Sequence, residues 1–326
     1  MPLLPPDSPE TPELTVIIVS YNTREMTLDA VRSAIAETAS TPMEIILVDN
    51  ASKDGSAEAV REMFPDVQLL ADETNHGFAK ANNIAAKRAR GAYLLLLNPD
   101  TVTLDRALDK LMAFARTRPE AGIWGGRTVF ADGTLNPTSA AGRQTLWSLF
   151  CRVSGLAVLN PNSEFLNPES YGGWDRTGVR EVDIIQGSFF LIRRTLWEDL
   201  GGFDLTYVMY GEEADLCLRA RARGLRPTVS GEPTIIHYLG ASSALRSDKQ
   251  ILVLKARITL TRYIPAWQRP LARALLVVWP LTRVVGARIL ARVTRRQRYR
   301  DVAATWGAVW AARDTWRRGY TDNPEV

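Results

Sequence analysis

The sequence has few cysteines and lacks the common glycine-rich motifs that bind nucleotide phosphates. Only Cys151 and Cys217 occur among the 326 residues, far apart and without the spacing of metal ligands. This pattern favours a reducing compartment and argues against a disulfide scaffold. No Gly-x-Gly-x-x-Gly follows the first apolar run, and no Gly-x-x-x-x-Gly-Lys-Ser/Thr is present. A dinucleotide dehydrogenase and a P-loop ATPase are therefore disfavoured.

Neither a signal peptide nor a membrane-spanning segment is recognisable in the sequence. Residues 1–13 contain five prolines, no Lys or Arg and no apolar run, so we expect a short disordered leader. No stretch reaches the roughly 18–20 apolar residues that cross a bilayer. The most apolar segment, 271–293, is interrupted by four arginines and by Pro280. We expect it to lie on a membrane and not to cross it.

Acidic residues are scarce in the last quarter of the chain. Residues 251–326 hold 15 of the 40 Lys and Arg but only 4 of the 36 Asp and Glu, and also five of the nine tryptophans. Arg-rich helices with tryptophan are typical of interfacial anchors, so we predict that this basic, amphipathic helical tail meets an anionic membrane surface. A helical subdomain packed on the rest of the chain and a dimer contact remain open. Nucleic-acid binding fits the charge of the tail but not the rest of the sequence.

Short apolar runs alternate with helical segments over the first hundred residues. Strands are predicted at 14–19, 44–49, 67–70 and 93–97. Helices are predicted at about 24–37, from the turn and cap residues at 52–56 to about 64, and at 78–89, with Gly91 as a C-terminal cap. The first run is apolar on both faces, which indicates a buried parallel strand. This alternation predicts an α/β fold, a doubly wound and mostly parallel sheet with helices on both faces.

Polar residues follow three of the four predicted strands. Ligands bind at the carboxyl ends of the strands in such sheets, although Asn and Asp also form turns at these positions. Asp100 is the one acid after the fourth strand, and its carboxylate could hold a divalent cation that bridges two phosphates. The three strand ends are Ser20-Tyr21-Asn22, Asp49-Asn50 and Asn98-Pro99-Asp100.

Glu212, Glu213 and Asp215 place three acids within four residues of a predicted helix. Like charges packed this closely raise at least one pKa, as a general base for an alcohol proton requires. The alternative is structural, because acids at a helix N-terminus complement the helix dipole and Asp215 can pair with Arg219 one turn later.

Two further positions carry candidate ligand groups. His237 directly follows a short apolar strand, and a neutral imidazole can complete a metal shell or bind diphosphate. Lys80 lies in a predicted helix opened by Gly77, where the helix N-terminus and a cation could contact a diphosphate. A structural histidine and a solvated lysine are the alternatives.

Taken in order, these segments resemble family 2 of the inverting glycosyltransferases, with the GT-A fold, and among them the bacterial rhamnosyltransferases. The resemblance spans about Leu14 to Ser243. Its segments are 19–22, 48–56, 75–83, 98–100, 187–194, 201–204, 210–219 and 237–243.

The resemblance implies roles for individual residues. Asp49 would contact the donor's base, Asp100 would bind Mg²⁺ or Mn²⁺ that holds the diphosphate, and His237 would contact the metal or the diphosphate. The acidic cluster would supply the base, for which Glu213 is the first candidate and Asp215 and Glu212 are the alternatives. The residues at the end of the first strand, Ser20, Tyr21 and Asn22, would cradle the nucleotide through backbone groups. The other residues expected to bind the nucleotide sugar are Asp49, Asn50, Lys80, Asn83 and Asn98.

Two departures from the family pattern concern these same positions. The metal motif commonly has an acid two residues before its last Asp, where this chain has Asn98. The acidic motif commonly reads Glu-Asp, whereas here it reads Glu212-Glu213, so the carboxylate at the second position sits one methylene further out.

The sequence thus predicts a leader at 1–13, a GT-A domain at 14–250 with a nucleotide-binding half at about 14–100 and an acceptor half at about 101–250, and the tail at 251–326. The predicted activity is transfer of a sugar, with rhamnose one possibility, from a nucleoside diphosphate sugar to a lipid-linked or polysaccharide acceptor in cell-surface glycan synthesis. We expect a cytoplasmic protein, peripheral to the inner face of the cytoplasmic membrane. A sugar nucleotidyltransferase and a non-catalytic sugar-binding module are the alternatives.

Overall fold

The computed structural model describes residues 3–238 and 246–320, and the chain divides into two compact units. The first consists of Met1–Ala141, Asp175–Asp204 and Glu212–Ser242. The second consists of Gly142–Trp174, Leu205–Gly211 and Ser243–Val326. The basic C-terminal region is therefore grouped with two segments from the middle of the chain.

Eleven strands occur within the described residues. They are β1 (Leu14–Ser20), β2 (Met43–Asn50), β3 (Gln68–Asp72), β4 (Tyr93–Leu97), β5 (Thr101–Leu104), β6 (Ile123–Val129), β7 (Ala140–Ala141), β8 (Val179–Glu181), β9 (Ile184–Ile185), β10 (Phe189–Arg193) and β11 (Thr228–His237).

The helices of the described chain follow the strands of the first unit and dominate the second. They are α1 (Arg24–Ala36), α2 (Ser56–Met63), α3 (Gly77–Ala86), α4 (Ala107–Thr117), α5 (Leu146–Ser154), α6 (Leu156–Leu159), α7 (Arg194–Leu200), α8 (Glu212–Ala222), α9 (Arg246–Leu260), α10 (Arg269–Thr294), α11 (Gln297–Ala311) and α12 (Arg313–Trp316).

A nine-stranded sheet forms the centre of the first unit, in the order β3-β2-β1-β4-β10-β6-β11-β5, with β8 paired to β11. Strands β3, β2, β1 and β4 are mutually parallel, and β6 is parallel to β11. Strands β5, β8 and β10 run antiparallel to their neighbours. The predicted α/β fold is confirmed. The sequence pattern did not show that some strands of the sheet run antiparallel to their neighbours.

Alternating residues of the central strands build the main core on one face of this sheet. Every residue of β1 and β2 is buried, as expected for strands covered on both faces. On this face, side chains of α1, α2 and α4 pack against the sheet. The contributing residues include Val16, Ile18, Leu28, Val31, Ile45, Leu47, Val60, Leu95, Leu97, Leu108 and Met112.

Gly91 allows the chain to cross β1 at close range. A Cβ on this residue would lie 2.5 Å from the backbone nitrogen of Thr15, closer than any side chain could approach. The sequence assigned Gly91 to a helix cap, but α3 already ends at Ala86. The requirement for glycine thus comes from tertiary packing and not from helix termination.

The predicted disordered leader is wrong for the part of it that the structure describes. Leu3 forms a bridge with Met43, and the Leu4 amide donates to the Met43 carbonyl at 2.8 Å. Both leucines are buried. Their apolar side chains extend the core beside the start of β2. The free energy gained by burying them outweighs the conformational entropy lost when this short segment is ordered.

The second unit is helical and encloses a buried ionic cluster. The Glu169 carboxylate accepts hydrogen bonds from Ser148 Oγ at 2.8 Å, from Arg152 at 2.7 Å and from Arg257 at 2.8 Å. Both guanidinium groups also lie over the Trp279 ring, 5.4 and 5.6 Å from its centroid. Burial alone would raise the pKa of Glu169, but the two arginines lower it to about 2.

One of the described helices is long and apolar enough to cross a membrane, by length and composition. This stretch is Ala266–Thr294, with a mean hydropathy of 1.6 in its most apolar window. Because of its arginines, we predicted from the sequence that this region does not cross a membrane. Length and composition alone do not support excluding a membrane-spanning segment here, although buried helices of soluble proteins meet the same criterion.

Candidate functional site

The carboxyl ends of β2, β1 and β4 lie side by side at one edge of the sheet. Ser20 pairs in register with Asp49, and Ile18 pairs with Leu97. The polar residues that follow these three strands are therefore neighbours in space, as the sequence predicted.

Two later segments of the chain reach the same edge. Because β10 is antiparallel to β4, with Phe189 opposite Leu97, the residues just before β10 lie where β4 ends. The Asn98 amide accordingly donates to the Ser188 carbonyl at 3.2 Å. Strand β11 ends at the same edge, because β10 is antiparallel to β6 and β6 is parallel to β11. This places His237 beside the start of β5, opposite Thr101.

The loops after β1 and β2 are joined by side-chain hydrogen bonds. Asn22 has a φ of 52°, its amide donates to Ser52 Oγ at 2.9 Å, and its Oδ1 accepts from the Lys53 amide at 2.7 Å. Asp54 accepts from the Arg24 amide at 2.9 Å. Asn22 therefore fixes the loop backbone at the sheet edge, and its side-chain oxygen is already used.

Asp49 is the buried acid of this edge. One oxygen accepts from the Ser52 amide at 3.0 Å, and Oδ2 is buried with no hydrogen-bond partner among the described residues. A buried acceptor of this kind is costly unless it is satisfied. Asp49 thus offers a ready acceptor for the N–H group of a ligand.

Asn50 connects β2 to the loop before α3. Its Oδ1 accepts from the His76 amide at 2.8 Å, and its Nδ2 donates to Asn75 Oδ1 at 2.8 Å. The Asn50 amide group is therefore committed to the protein, so its expected contact with a nucleotide is not supported.

Two other predicted ligand residues point into the protein. Ser20 Oγ is fully buried and bonds to Thr27 Oγ1 at 2.8 Å. Asn83 bonds to Phe203 through both side-chain atoms, each at 2.9 Å. The Ser20 side chain thus secures α1, and the Asn83 side chain secures the Gly202-Phe203 turn. Binding of the nucleotide by backbone groups at the end of β1 stays a prediction.

Three predicted ligand residues keep available side chains. Tyr21 is 44% exposed. Lys80 and Asn98 are half-buried, and their side chains form no hydrogen bond or ion pair within the part of the chain that the structure describes. They remain candidates for ligand contacts.

Asp100 and His237 come together at the end of β4. His237 Nε2 lies 3.2 Å from Asp100 Oδ1, and the Tyr238 amide donates to the Asp100 carbonyl at 3.0 Å. His237 is buried, and its Nδ1 has no partner among the described residues. Residues Leu239 to Ser243, which close the motif in the sequence, lie outside the described residues.

This pair fits a divalent ion with an incomplete protein shell. His237 Nε2 and Asp100 Oδ1 are close enough together for both to hold one divalent ion, and an imidazole nitrogen and a carboxylate oxygen are groups that such ions accept as ligands. Among the described residues there is no cluster of three or more His, Cys, Asp or Glu suited to a metal. Substrate oxygens would have to complete the coordination, as in magnesium sites that bind phosphates.

The acidic cluster at the start of α8 separates into different environments. Asp215 is fully buried, and its Oδ2 accepts from Arg219 Nε at 2.7 Å. Arg219 also donates to the Leu200 carbonyl at 2.6 Å and to the Gly202 carbonyl at 2.8 Å. Asp215 therefore orients an arginine that fixes the turn after α7. The prediction that Asp215 is a catalytic residue is not supported, because this ion pair occupies it.

Glu212 is buried, and its Oε2 has no hydrogen-bond partner within the described residues. Burial, together with the neighbouring charge of Glu213, raises the pKa of Glu212 well above its ordinary value. The raised pKa favours the protonated form of the Glu212 carboxyl.

Glu213 stands at the sheet edge. A Cβ on Gly187 would lie 3.9 Å from Glu213 Cβ and 3.4 Å from the Phe78 ring. Since Gly187 shortly precedes β10, Glu213 lies near the end of β4. It is the member of the cluster best placed to meet a substrate.

Arg219 and Gly187 are functional neighbours that the sequence reasoning underused. The sequence suggested Arg219 only as a partner of Asp215. One of its donors bonds Asp215, and two others each bond a backbone carbonyl. Gly187 sits where a side chain would fill the space between Phe78 and Glu213. The only sequence signal for either was its position inside a family motif.

The profile of glycosyl transferase family 2 matches residues 15–201 of this chain, more than half of its length. The chain belongs to glycosyl transferase family 2. It is 30% identical over 237 residues to the O-antigen biosynthesis protein RfbC of Myxococcus xanthus, covering 71% of this chain and 18% of the relative. This chain therefore spans less than a fifth of that protein.

A second relative is similar to this family 2 chain over most of its own length. It is an N-acetylglucosaminyl-diphospho-decaprenol L-rhamnosyltransferase of Mycobacterium tuberculosis (strain ATCC 25618 / H37Rv). The two chains are 27% identical over 255 residues, which cover 72% of this chain and 78% of the relative.

Solved glycosyltransferase structures share the fold. A mannosyltransferase from Pyrobaculum calidifontis, in complex with GDP-Man and Mn²⁺, superposes with a TM-score of 0.58 at 18% identity, covering 96% of this chain and 89% of the other. GalNAc-T7 with UDP, GalNAc and Mn²⁺ gives a TM-score of 0.54 at 17% identity, covering 78% and 48%. At these identities the comparison shows the fold alone, and it confirms the predicted GT-A architecture.

Proposed function

We propose that this family 2 glycosyltransferase transfers a sugar from a nucleoside diphosphate sugar to a hydroxyl group of a lipid-linked or polysaccharide acceptor, with inversion at the anomeric carbon. The observation that carries this proposal is the convergence of Asp49, Asp100, His237 and Glu213 on one edge of the sheet. That edge is where open α/β sheets bind their ligands.

The donor half of the proposal rests on three residues. Asp49 Oδ2 would accept a hydrogen bond from the N–H group of the base. Asp100 and His237 would hold Mg²⁺ or Mn²⁺, which, when bound, neutralises the charge that develops on the diphosphate. Lys80, half-buried, could add a further positive charge near the phosphates.

The chemistry is a single displacement in which Glu213 is the base. Its carboxylate takes the proton of the acceptor hydroxyl, and the oxygen forms a bond to the anomeric carbon. The bond from that carbon to the diphosphate oxygen breaks, and the nucleoside diphosphate leaves with the electron pair. Burial favours the protonated form of Glu212, which lessens charge repulsion next to Glu213.

Rhamnose and a polyprenyl diphosphate acceptor are the first substrates to test. Support comes from the Mycobacterium tuberculosis relative, which is named as an N-acetylglucosaminyl-diphospho-decaprenol L-rhamnosyltransferase. The RfbC relative, named for O-antigen biosynthesis, supports a place in cell-surface glycan synthesis.

We place this reaction in the cytoplasm, at the inner face of the cytoplasmic membrane. Cys151 and Cys217 are both free and buried, as in proteins of reducing compartments. The positive charge of residues 251–326 supports contact with anionic lipid.

A donor panel tests the proposed function. The full chain is incubated with individual nucleoside diphosphate sugars, Mg²⁺ or Mn²⁺ and an N-acetylglucosaminyl-diphospho-polyprenol. The expected result is acceptor-dependent release of nucleoside diphosphate together with a glycosylated lipid. Release of pyrophosphate from a nucleoside triphosphate and a sugar phosphate would instead identify a nucleotidyltransferase. Binding of donors without transfer to any acceptor would indicate a sugar-binding module.

A further inference from the structure

Helix α10 carries an apolar stripe on the side that faces away from the core of its own unit. The other side packs inside the second unit, where Trp279 and Leu276 join the buried cluster that also contains Leu254 and Trp316. Ordinary surface helices expose a polar face opposite their buried one. In α10 the exposed face is apolar instead. Its members, spaced by three or four residues, are Leu271, Ala274, Val278, Leu281, Val285 and Ile289.

The stripe is long and continuous. The helix has 26 residues, which corresponds to about 39 Å at 1.5 Å per residue. Its larger side chains are between 38% and 56% exposed, and only 28% of the apolar window of this helix is buried inside the protein. Contiguous exposed apolar patches of this kind mark an interaction surface.

A second apolar group lies on the neighbouring helix of the same unit. Helix α5 packs against α10, with Thr282 Oγ1 donating to the Val153 carbonyl at 3.1 Å. Its Trp147 stacks with Phe150, and Phe165 from the following loop packs on the same indole. All three rings are at least 39% exposed.

Positive charge accompanies these apolar groups. Exposed arginines follow the stripe at the C-terminal end of α10 and continue into α11, without an acid until Asp301. Exposed Trp267 stands just before α10, at the other end of the stripe. Tryptophan and arginine are the residues that meet the headgroup layer of a bilayer. The arginines are Arg288, Arg292, Arg295, Arg296, Arg298 and Arg300.

We propose that the α10 stripe, together with the exposed aromatic group of α5, is a docking surface that lies in the plane of an anionic lipid bilayer. Anionic headgroups match the arginines, and the acyl boundary matches the aliphatic stripe. Docking in the plane follows from the packing of α10. One face of the helix is occupied by the buried core of the second unit. A spanning helix would also bring Arg273 and Arg283 into hydrocarbon. The surface does not depend on the reaction proposed above.

Vesicle sedimentation tests this surface on the full chain. We expect the protein to pellet with vesicles of phosphatidylcholine and phosphatidylglycerol, and to do so poorly with phosphatidylcholine alone. Substituting Val278→Ser, Val285→Ser and Ile289→Ser together should weaken binding by at least about tenfold, because three exposed apolar side chains no longer enter the acyl boundary. Ser, Val and Ile have similar helix propensities, so circular dichroism should show the helix retained.

Matched controls separate this surface from general stickiness. Met63→Ser with Val179→Ser removes two apolar side chains of similar exposure, 47% and 51%, from the first unit and should leave vesicle binding unchanged. For charge, Arg288→Gln with Arg292→Gln should weaken binding to anionic vesicles, whereas Arg61→Gln with Arg88→Gln should not. A fluorophore attached through Ile289→Cys should shift to the blue on anionic vesicles, and one attached through Met63→Cys should not.

Three results would overturn the proposal. Equal binding of the triple serine variant and the wild type would show that another surface docks. Resistance of the membrane-bound protein to alkaline carbonate extraction would show that α10 spans the bilayer. A dimer in sedimentation velocity that the triple variant abolishes, without vesicle binding, would assign the stripe to a second copy of the chain.

Discussion

At the scale of single residues, three carboxylates within four positions of α8 have different surroundings. Asp215 is held by Arg219, Glu212 is buried without a partner for Oε2 among the described residues, and Glu213 lies near Gly187 at the sheet edge. Sequence spacing alone treats the three as equivalent. Their burial and their partners assign Asp215 to a structural role, give Glu212 a raised pKa and leave Glu213 on the substrate side.

The raised pKa of Glu212 can be tested through the pH dependence of stability. Since the pKa of Glu212 in the folded protein is raised above the ordinary value of 4.5, its contribution to stability is complete below that value and is lost as pH rises through the folded pKa. Glu212→Gln does not titrate. Its melting temperature should therefore gain on the wild type by a few degrees between pH 4 and pH 8, as measured by differential scanning fluorimetry.

Glu62→Gln, an exposed glutamate at the end of α2, is the control for this pH series. Its melting curve should follow the wild type at every pH. Parallel curves for Glu212→Gln and the wild type would contradict a raised pKa for Glu212.

A second residue-scale prediction concerns the cation. Asp100→Asn removes the charged ligand beside His237 and should weaken Mn²⁺ binding in the presence of a nucleoside diphosphate by about tenfold or more, since interactions with a charged group contribute roughly 1.5–3 kcal/mol. Electron paramagnetic resonance of free Mn²⁺ measures this directly. Asp66→Asn, an exposed loop acid, should bind Mn²⁺ as the wild type does. Unchanged Mn²⁺ affinity for Asp100→Asn would move the metal site elsewhere.

At the scale of elements, the second unit depends on ion pairing between distant parts of the chain. Glu169 joins α5 to α9 through Arg152 and Arg257, and it is almost completely buried. Removing one partner of a buried pair leaves the other charges uncompensated. This cluster, and not local helix propensity alone, fixes the loop at 160–174 against the C-terminal helices of the same unit.

Glu169→Gln should therefore destabilise the second unit by about 3–5 kcal/mol. Limited proteolysis within the second unit, together with urea unfolding, measures the effect. Because the folded pKa of Glu169 is lowered from 4.5 to about 2, wild-type stability should also fall as pH drops through this range. The exposed variant Glu62→Gln should change stability little, and a loss below about 1 kcal/mol for Glu169→Gln would contradict the role of the cluster.

The sequence predicted those elements whose pattern is local. The apolar runs of β1, β2 and β4 and the polar residues after them were sufficient to place Asp49 and Asp100 at one sheet edge. The sequence did not indicate that the side chains of Ser20 and Asn83 bond to Thr27 and Phe203, because the direction of a side chain depends on tertiary neighbours. The pairing of Glu169 with Arg257, 88 residues away, has no local signal.

At the scale of the whole molecule, the composition of residues 271–293 did not reveal the exposed apolar stripe of α10. The arginines within 271–293 made this segment look too polar to span a membrane. In three dimensions, however, one exposed face of the helix is apolar and carries Leu271, Val278, Leu281, Val285 and Ile289. The predicted division at residue 250 also separated segments that belong to one compact unit, since Gly142–Trp174 and Leu205–Gly211 are grouped with the C-terminal helices.

The central claim is that this chain is a glycosyltransferase whose base is Glu213. Single-turnover transfer by Glu213→Gln, with the donor identified by the panel, tests it most directly, and calorimetry of donor binding with Mn²⁺ serves as the companion measurement. We expect a fall in the transfer rate of about 10²- to 10⁴-fold with unchanged donor affinity and melting temperature. Asp215→Asn should instead lower the melting temperature. Transfer by Glu213→Gln at close to the wild-type rate would contradict the account.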